Sequence, residues 1–192
     1  MGGIWERQIR TTRSVLSSLL QQHGTQLDDE ALRTLLTEAE CVVNGRPLTT
    51  ENLTDPLSPE PLTPNHLLTL KTQVVLPPPG MFESPDLYSR KRWRRVQFLA
   101  NQFWLRWQKE YCDLLRSRQK WSETKRNIKE GDIVLVQDQN VARNQWPIAR
   151  VTATYPSKDG LVRKVKIVVY RDGQLKQFER PIHKLVLLVP KE

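Results

Sequence analysis

The sequence has 192 residues, of which 38% are apolar and 27% charged, a composition that suits one ordinary domain or two small ones. No apolar run approaches the roughly 18 residues of a membrane span. The sequence has two cysteines, Cys41 and Cys112, and three scattered histidines, which argues against a disulfide scaffold or a Cys/His zinc site. We therefore expect an intracellular protein. The net charge of +9 divides into −5 over residues 1–88 (6 Lys and Arg, 11 Asp and Glu) and +14 over residues 89–192 (24 and 10), which favours a polyanionic partner, DNA or RNA before a membrane.

Two amphipathic helices are predicted at the start of the chain. Residues 4–22 carry apolar side chains at a period of 3.6. A second helix is predicted from about Asp28, whose carboxylate can cap it, to Asn44, because Gly45 and then Pro47 stop it. Two helices with a short connection indicate either an αα-hairpin or the last two helices of a larger fold.

A proline-rich segment follows at residues 47–88, which hold nine of the 13 prolines. Such a composition predicts an extended connector. Within it, the stretch PLTPNHLLTL can form a short helix with Thr63 as its N-cap and Pro64 in its first turn.

Residues 89–127 are basic and aromatic, and their apolar spacing predicts one long helix to about residue 126. Its aromatic side chains keep the spacing of a buried stripe, which favours a place in the core over base stacking. Twelve Lys or Arg stand against three acids over residues 89–126. The densest cluster, too dense for a merely solvated face, favours phosphate contact or nuclear import: Arg90, Lys91, Arg92, Arg94 and Arg95.

The period changes to two over residues 128–192, where five strand-like runs are separated by turn signals such as Asp172-Gly173. This pattern predicts a small SH3-like barrel, and the predicted fold class of the chain is therefore α+β. Cations crowd the strands and turns of this segment, among them Arg143, Arg150, Lys164 and Lys166. A stable cap without a ligand is the simpler interpretation, because SH3-like folds bind many ligands and the fold alone decides nothing.

The first helix carries one carboxylate beside two cations. Glu6, Arg10 and Arg13 lie at positions i, i+4 and i+7, and hence on one helix face. A glutamate in a first turn is ordinarily a surface residue stabilised by the helix dipole. A carboxylate with cations below it can instead bind a divalent metal and grip phosphates.

The stretch GGIWERQIRTTRSVL, the later VVNGRPLT and the LTPNHLL that follows resemble the end of an integrase catalytic core, best that of BEL/Pao-type retrotransposon polyproteins. The resemblance implies an RNase H-like core for residues 1–46, with Glu6 as the third acidic ligand of its Mg²⁺ or Mn²⁺ site and with Arg10 and Arg13 on the DNA ends. Segments similar to GDIVLV, NQWPIARV and RPIHKLVLL terminate these integrases, and retroviral integrases end in a basic SH3-like domain that binds DNA.

The family places two aspartates upstream of the glutamate, and none precedes Glu6 in this sequence. We therefore expect a fragment of a larger protein that does not catalyse strand transfer alone and needs no cofactor by itself. Its expected function is nucleic-acid binding in support of DNA integration, with Arg150, Lys164, Lys166 and the 90–95 cluster on the phosphate backbone. DNA or RNA, the rest of the polyprotein and further copies are the expected partners, in the nucleus or a virus-like particle. The alternative is a chromatin or protein-interaction adaptor from a decayed or domesticated element, without catalysis.

Overall fold

The computed structural model describes residues 3–23, 27–48, 61–70, 77–117, 126–138, 141–171 and 174–191. The chain is α+β and divides into two compact units. The helical unit consists of residues 1–46, 65–111 and 142–144, and the sheet unit of residues 47–64, 112–141 and 145–192. The boundary between the two units falls within the long helix predicted over residues 89–126.

The two N-terminal helices form as predicted. Helix α1 spans Ile4–His23 and α2 spans Asp29–Asn44. Asp28 is the N-cap of α2, since its carboxylate accepts a hydrogen bond of 2.9 Å from the backbone N–H of Ala31. The apolar face of α2 is buried at Ala31, Leu35, Ala39 and Val42.

The predicted connector is folded in its last part. A 3₁₀ turn at Ser84–Tyr88 buries Leu87 against residues of α2 and of the following long helix, and Phe82 packs on the same cluster. Helix α3 spans Pro64–Thr69, and Asn65 donates a hydrogen bond of 2.8 Å to the backbone carbonyl of Cys41 near the end of α2. Proline content therefore does not predict how residues 61–70 and 77–88 pack, and residues 49–60 and 71–76 of the predicted connector lie outside the described parts of the chain.

The long helix α4 spans Arg92–Ser117, so it begins three residues later than predicted. Its apolar stripe is buried at Val96, Leu99, Phe103 and Trp107, which confirms that the aromatic side chains of this stripe belong to a core. Residue 126, where the helix was predicted to end, is not helical, and residues 118–125 lie outside the described parts of the chain.

The second half forms one antiparallel sheet of five strands in the order β4-β3-β2-β1-β5. The hairpin joining the third and fourth strands forms at its predicted place, with Arg171 paired to Gln174. The predicted strand runs are confirmed, and the strands span Ile133–Val136 (β1), Ile148–Pro156 (β2), Val162–Arg171 (β3), Gln174–Pro181 (β4) and Leu185–Val189 (β5).

Strand β1 is buried on both of its faces. Val134 and Val136 belong to the core on one side of the sheet, and Leu135 packs with Cys112 and Val186 on the other. Strands β4 and β5 form the two edges of the sheet, and no pairing joins them among the described residues. The sheet is thus open there, so the α+β class is confirmed while a closed barrel is not.

Candidate nucleic-acid interface

The predicted metal and DNA-end residues lie on α1. Glu6, Arg10 and Arg13 all have exposed side chains. Within the described parts of the chain, no three His, Cys, Asp or Glu side chains come close enough to hold a metal ion. The described residues therefore do not place further carboxylates beside Glu6 in a metal-binding group.

Arg13 differs from Glu6 and Arg10 because it borders an apolar groove between α1 and α2. The groove has a volume of about 620 Å³ and is lined mainly by apolar side chains of both helices, together with Arg46. Trp5 and Ile9 remain exposed along it. Sequence periodicity predicts an apolar stripe over residues 4–22, but it does not indicate which of its side chains stay exposed along a groove.

The basic cluster at the start of α4 is divided by its internal contacts. Arg92 makes ion pairs of 2.7 Å with Asp28 and 2.5 Å with Glu30. Arg94 makes an ion pair of 2.6 Å with Asp86, and its hydrogen bond holds the pKa of this carboxyl below its usual range. These two arginines therefore already bind carboxylates of the helical unit.

The other members of the cluster differ from one another as well. Arg95 donates hydrogen bonds of 2.9 Å to the backbone carbonyls of Leu87 and Ser89. Arg90 and Lys91 have exposed side chains, for which the described residues supply neither an acceptor nor a carboxylate. Within the described parts of the chain, Arg90 and Lys91 are therefore the two cations of the cluster that can bind an external anion without breaking an internal pair.

Arg143 is not on the sheet unit, where its sequence position placed it. It belongs to the helical unit, its side chain is completely buried, and it makes an ion pair of 3.1 Å with Glu38. It also donates hydrogen bonds to the side-chain oxygens of Gln97 (2.6 Å) and Asn101 (3.1 Å). Burial lowers the pKa of Arg143, and the Glu38 carboxylate opposes this shift. Arg143 is therefore a structural residue.

The three cations predicted on the strands share one face of the sheet unit. Arg150 on β2 pairs in register with Val168, so it lies on the same face as Lys166 and Lys164, two and four positions before Val168 on β3. The side chains of Arg150 and Lys166 are partly exposed and that of Lys164 is exposed. The structure therefore brings together three of the predicted DNA-binding residues, and we call them the cationic sheet face.

Glu179 of β4 is the acidic residue that contacts this face. Its carboxylate makes an ion pair with Lys164 and accepts a hydrogen bond of 3.3 Å from the hydroxyl of Tyr155. The ammonium of Lys164 lies 5.9 Å from the centre of the Tyr155 ring. The hydrogen bond between Lys164 and Glu179 lowers the pKa of Glu179 and raises the pKa of Lys164. Lys166 pairs in register with Glu179. Among the described residues, the face therefore carries three cations and is contacted by one carboxylate.

Sequence reasoning missed the exposure of two aromatic residues beside the basic cluster. Trp93 is 48% exposed and Tyr88 is 71% exposed, whereas Trp104 and Trp107 are 2% and 1% exposed. The sequence contained a signal for the exposure of Trp93, because this residue lies before Val96, where the apolar stripe of the long helix begins.

A protein-family model described as "Family of unknown function (DUF5641)" matches residues 91–188, just over half of the chain. The chain belongs to this family. No curated protein and no solved structure matches the sequence.

The DUF5641 segment contains all of α4, the cationic sheet face and four whole strands, together with most of β5. Helices α1 and α2, with Glu6, Arg10 and Arg13, lie before it. No helix in the described ranges is long and apolar enough to cross a membrane.

Proposed function

We propose that this DUF5641 chain binds nucleic acid, as the C-terminal part of a BEL/Pao-type retrotransposon integrase, in support of DNA integration. The observation that carries the proposal is the convergence of Arg150, Lys164 and Lys166 on the cationic sheet face, with Glu179 as the opposing carboxylate. Phosphate contacts by Lys and Arg supply most of the affinity in sequence-independent nucleic-acid binding.

The geometry of the face suits a phosphate chain. Residues two apart on a strand project to the same side about 6.6 Å apart, and neighbouring strands are about 4.8 Å apart. Lys164 and Lys166 therefore form a short row on β3, and Arg150 flanks it on β2. Backbone pairing fixes all three attachment points, so that binding has to order only the ends of the side chains.

The proposed fold assignment is an SH3-like barrel that remains open between β4 and β5. It is supported by the meander from β1 to β4, by the return of β5 to β1, and by register shifts at Ile133/Val134 and Val151/Ala153. Such irregularities bend a strand and increase its twist, as a barrel requires. In the full-length enzyme Glu6 would serve as a metal ligand, together with carboxylates from upstream sequence.

Fluorescence anisotropy with a labelled DNA duplex, measured over a series of salt concentrations, tests the proposal. The variant Arg150→Glu with Lys166→Glu should bind more weakly, and its slope of log affinity against log salt should fall by about 1.8, or about 0.9 for each lost phosphate contact. The control is Lys129→Glu with Lys158→Glu, which changes the net charge equally at two exposed lysines outside the cationic sheet face.

An equal loss of DNA affinity in the two variants would show an effect of net charge alone and would overturn the cationic sheet face as the binding surface. No measurable binding to duplex or single strand would overturn the proposed function. The adaptor alternative predicts capture of a peptide with an affinity that hardly responds to salt, because burial of apolar surface releases few counterions.

A further inference from the structure

The turn that leads into α4 carries aromatic and cationic side chains together. Tyr88 and Trp93 are exposed, and Arg90 and Lys91 lie between them in the sequence. We call these four residues the aromatic-basic turn. It belongs to the helical unit, and it shares no residue with the cationic sheet face.

Internal contacts hold this turn in place. The carboxylate of Asp86 binds the side chain of Arg94 and the backbone N–H of Glu83. The guanidinium of Arg95 spans the carbonyls of Leu87 and Ser89, and Leu87 is buried in the core of the unit. Arg94 and Arg95 thus fix the backbone from which Arg90 and Lys91 project, so that a ligand meets a preformed surface.

Part of the Trp93 side chain is accessible to a ligand. Its aromatic contact is with Phe82, at 5.2 Å between ring centres and an interplanar angle of 81°. An edge-to-face contact covers at most one face of either ring, and almost half of the Trp93 side chain is exposed. Burying such a ring on a planar ligand removes apolar surface from water.

We propose that the aromatic-basic turn binds a single-stranded polynucleotide, with a base stacked on Trp93, a second base at Tyr88, and phosphates on Arg90 and Lys91. This inference rests on the proposed function and names its substrate class. A duplex can satisfy the cations, but its bases are stacked on one another and offer no ring face. Aromatic platforms combined with cations are the means by which proteins bind single strands without reading their sequence.

The test uses the whole chain with labelled single-stranded DNA, single-stranded RNA and duplex DNA of equal length. Trp93→Ala should weaken binding of the single strands about tenfold, since loss of one stacked base has an effect of this order. Duplex affinity should stay unchanged, and Trp93→Phe should retain most of the single-strand affinity. The control is Met81→Ala, which removes an exposed apolar side chain near the turn without removing a ring.

The result separates the two proposals. Unchanged single-strand affinity in both Trp93→Ala and Tyr88→Ala, with duplex binding intact, would overturn the single-strand site and leave the proposed function standing. Equal weakening of single strand and duplex by Trp93→Ala, with an unchanged circular dichroism spectrum, would also overturn the site. Absence of binding to all three probes would overturn the proposed function. Binding of DNA and RNA alike supports the inference, because stacking and phosphate contact do not depend on the sugar.

Discussion

The guanidinium of Arg143 lies 3.1 Å from the carboxylate of Glu38, in an ion pair whose cationic side chain is completely buried. The pair joins residues 105 positions apart, one in the loop after β1 and the other on α2. Gln97 donates a hydrogen bond of 2.8 Å to the same carboxylate and accepts one from Arg143. Each of the three side chains thus contacts the other two inside the helical unit.

Arg143→Ala should lower the free energy of unfolding of the helical unit by about 3 kcal/mol, because the Glu38 carboxylate keeps its hydrogen bond from Gln97 but loses its cationic partner while only 22% of its side chain is exposed. Urea denaturation followed by circular dichroism measures the change. The control is Arg163→Ala, which removes an exposed ion pair with Asp159 and should leave the midpoint nearly unchanged. Equal midpoints for the two variants would show that the buried network does not stabilise the unit.

The sheet unit has a comparable anchor in Asp132, whose side chain is completely buried. Its carboxylate binds the guanidinium of Arg126 at 2.7 Å and accepts hydrogen bonds of 2.9 Å from the backbone N–H groups of Lys129 and Lys191. Asp132→Ala should lower the free energy of unfolding of the sheet unit by about 2–4 kcal/mol, because three hydrogen-bond donors lose a charged acceptor. Thermal unfolding of this variant beside Asp159→Ala, at an exposed ion pair, gives the comparison. A melting temperature equal to that of Asp159→Ala would contradict this role.

Sequence patterns predicted the helices and strands well, because these elements depend on residues that are close together in the sequence. The period of two in the second half and the cap at Asp28 depend on residues close in sequence. The positions of the cations could not be predicted in this way. Arg143 lies among strand-like runs but is buried against α2 and α4, and Arg92 meets carboxylates more than 60 positions earlier. Such long-range ion pairs leave no periodic signal.

The candidate site shows the same limit. A dense run of cations at residues 90–95 predicts one phosphate-binding cluster, but the run itself does not indicate that Arg92 and Arg94 pair with carboxylates or that Arg95 binds backbone carbonyls. The sheet face was predictable in part, since residues two apart on a strand share a face. Its third cation, Arg150, comes from another strand, and its place depends on the pairing register.

The thiol of Cys112 should resist alkylation in the folded protein. Burial raises its pKa from 9.0 to about 11, and the thiolate is the reactive form. Cys41 also has a raised pKa, but its side chain is partly exposed. At pH 8 iodoacetamide should therefore label Cys41 first and Cys112 only after unfolding, as peptide mass spectrometry can show. Labelling of Cys112 at the rate of Cys41 would contradict the burial.

The raised pKa of Cys112 also predicts how stability depends on pH. The folded state holds the thiol proton more tightly than the unfolded state. The contribution of the protonated thiol to the free energy of unfolding is therefore fully present below pH 9 and is lost as the pH rises towards 11. Cys112→Ala should flatten the alkaline fall of the unfolding midpoint between these values. Cys41→Ala serves as the second variant for comparison. An alkaline slope that Cys112→Ala leaves unchanged would assign the titration to other groups.

The cations at the start of α4 should differ in their effect on nucleic-acid binding. Arg90→Ala with Lys91→Ala should reduce the salt slope of binding by up to about 1.8, because both side chains are available to phosphates. Arg92→Ala with Arg94→Ala removes the same charge but breaks ion pairs with Asp28, Glu30 and Asp86. This second variant should leave the salt slope nearly unchanged and lower the unfolding midpoint of the helical unit only slightly, through loss of the partly buried pair of Arg94 with Asp86. Anisotropy over a salt series and urea denaturation of both variants make the comparison. A larger loss of salt slope in the second variant would show that phosphates displace these carboxylates, and that all four cations belong to the binding surface.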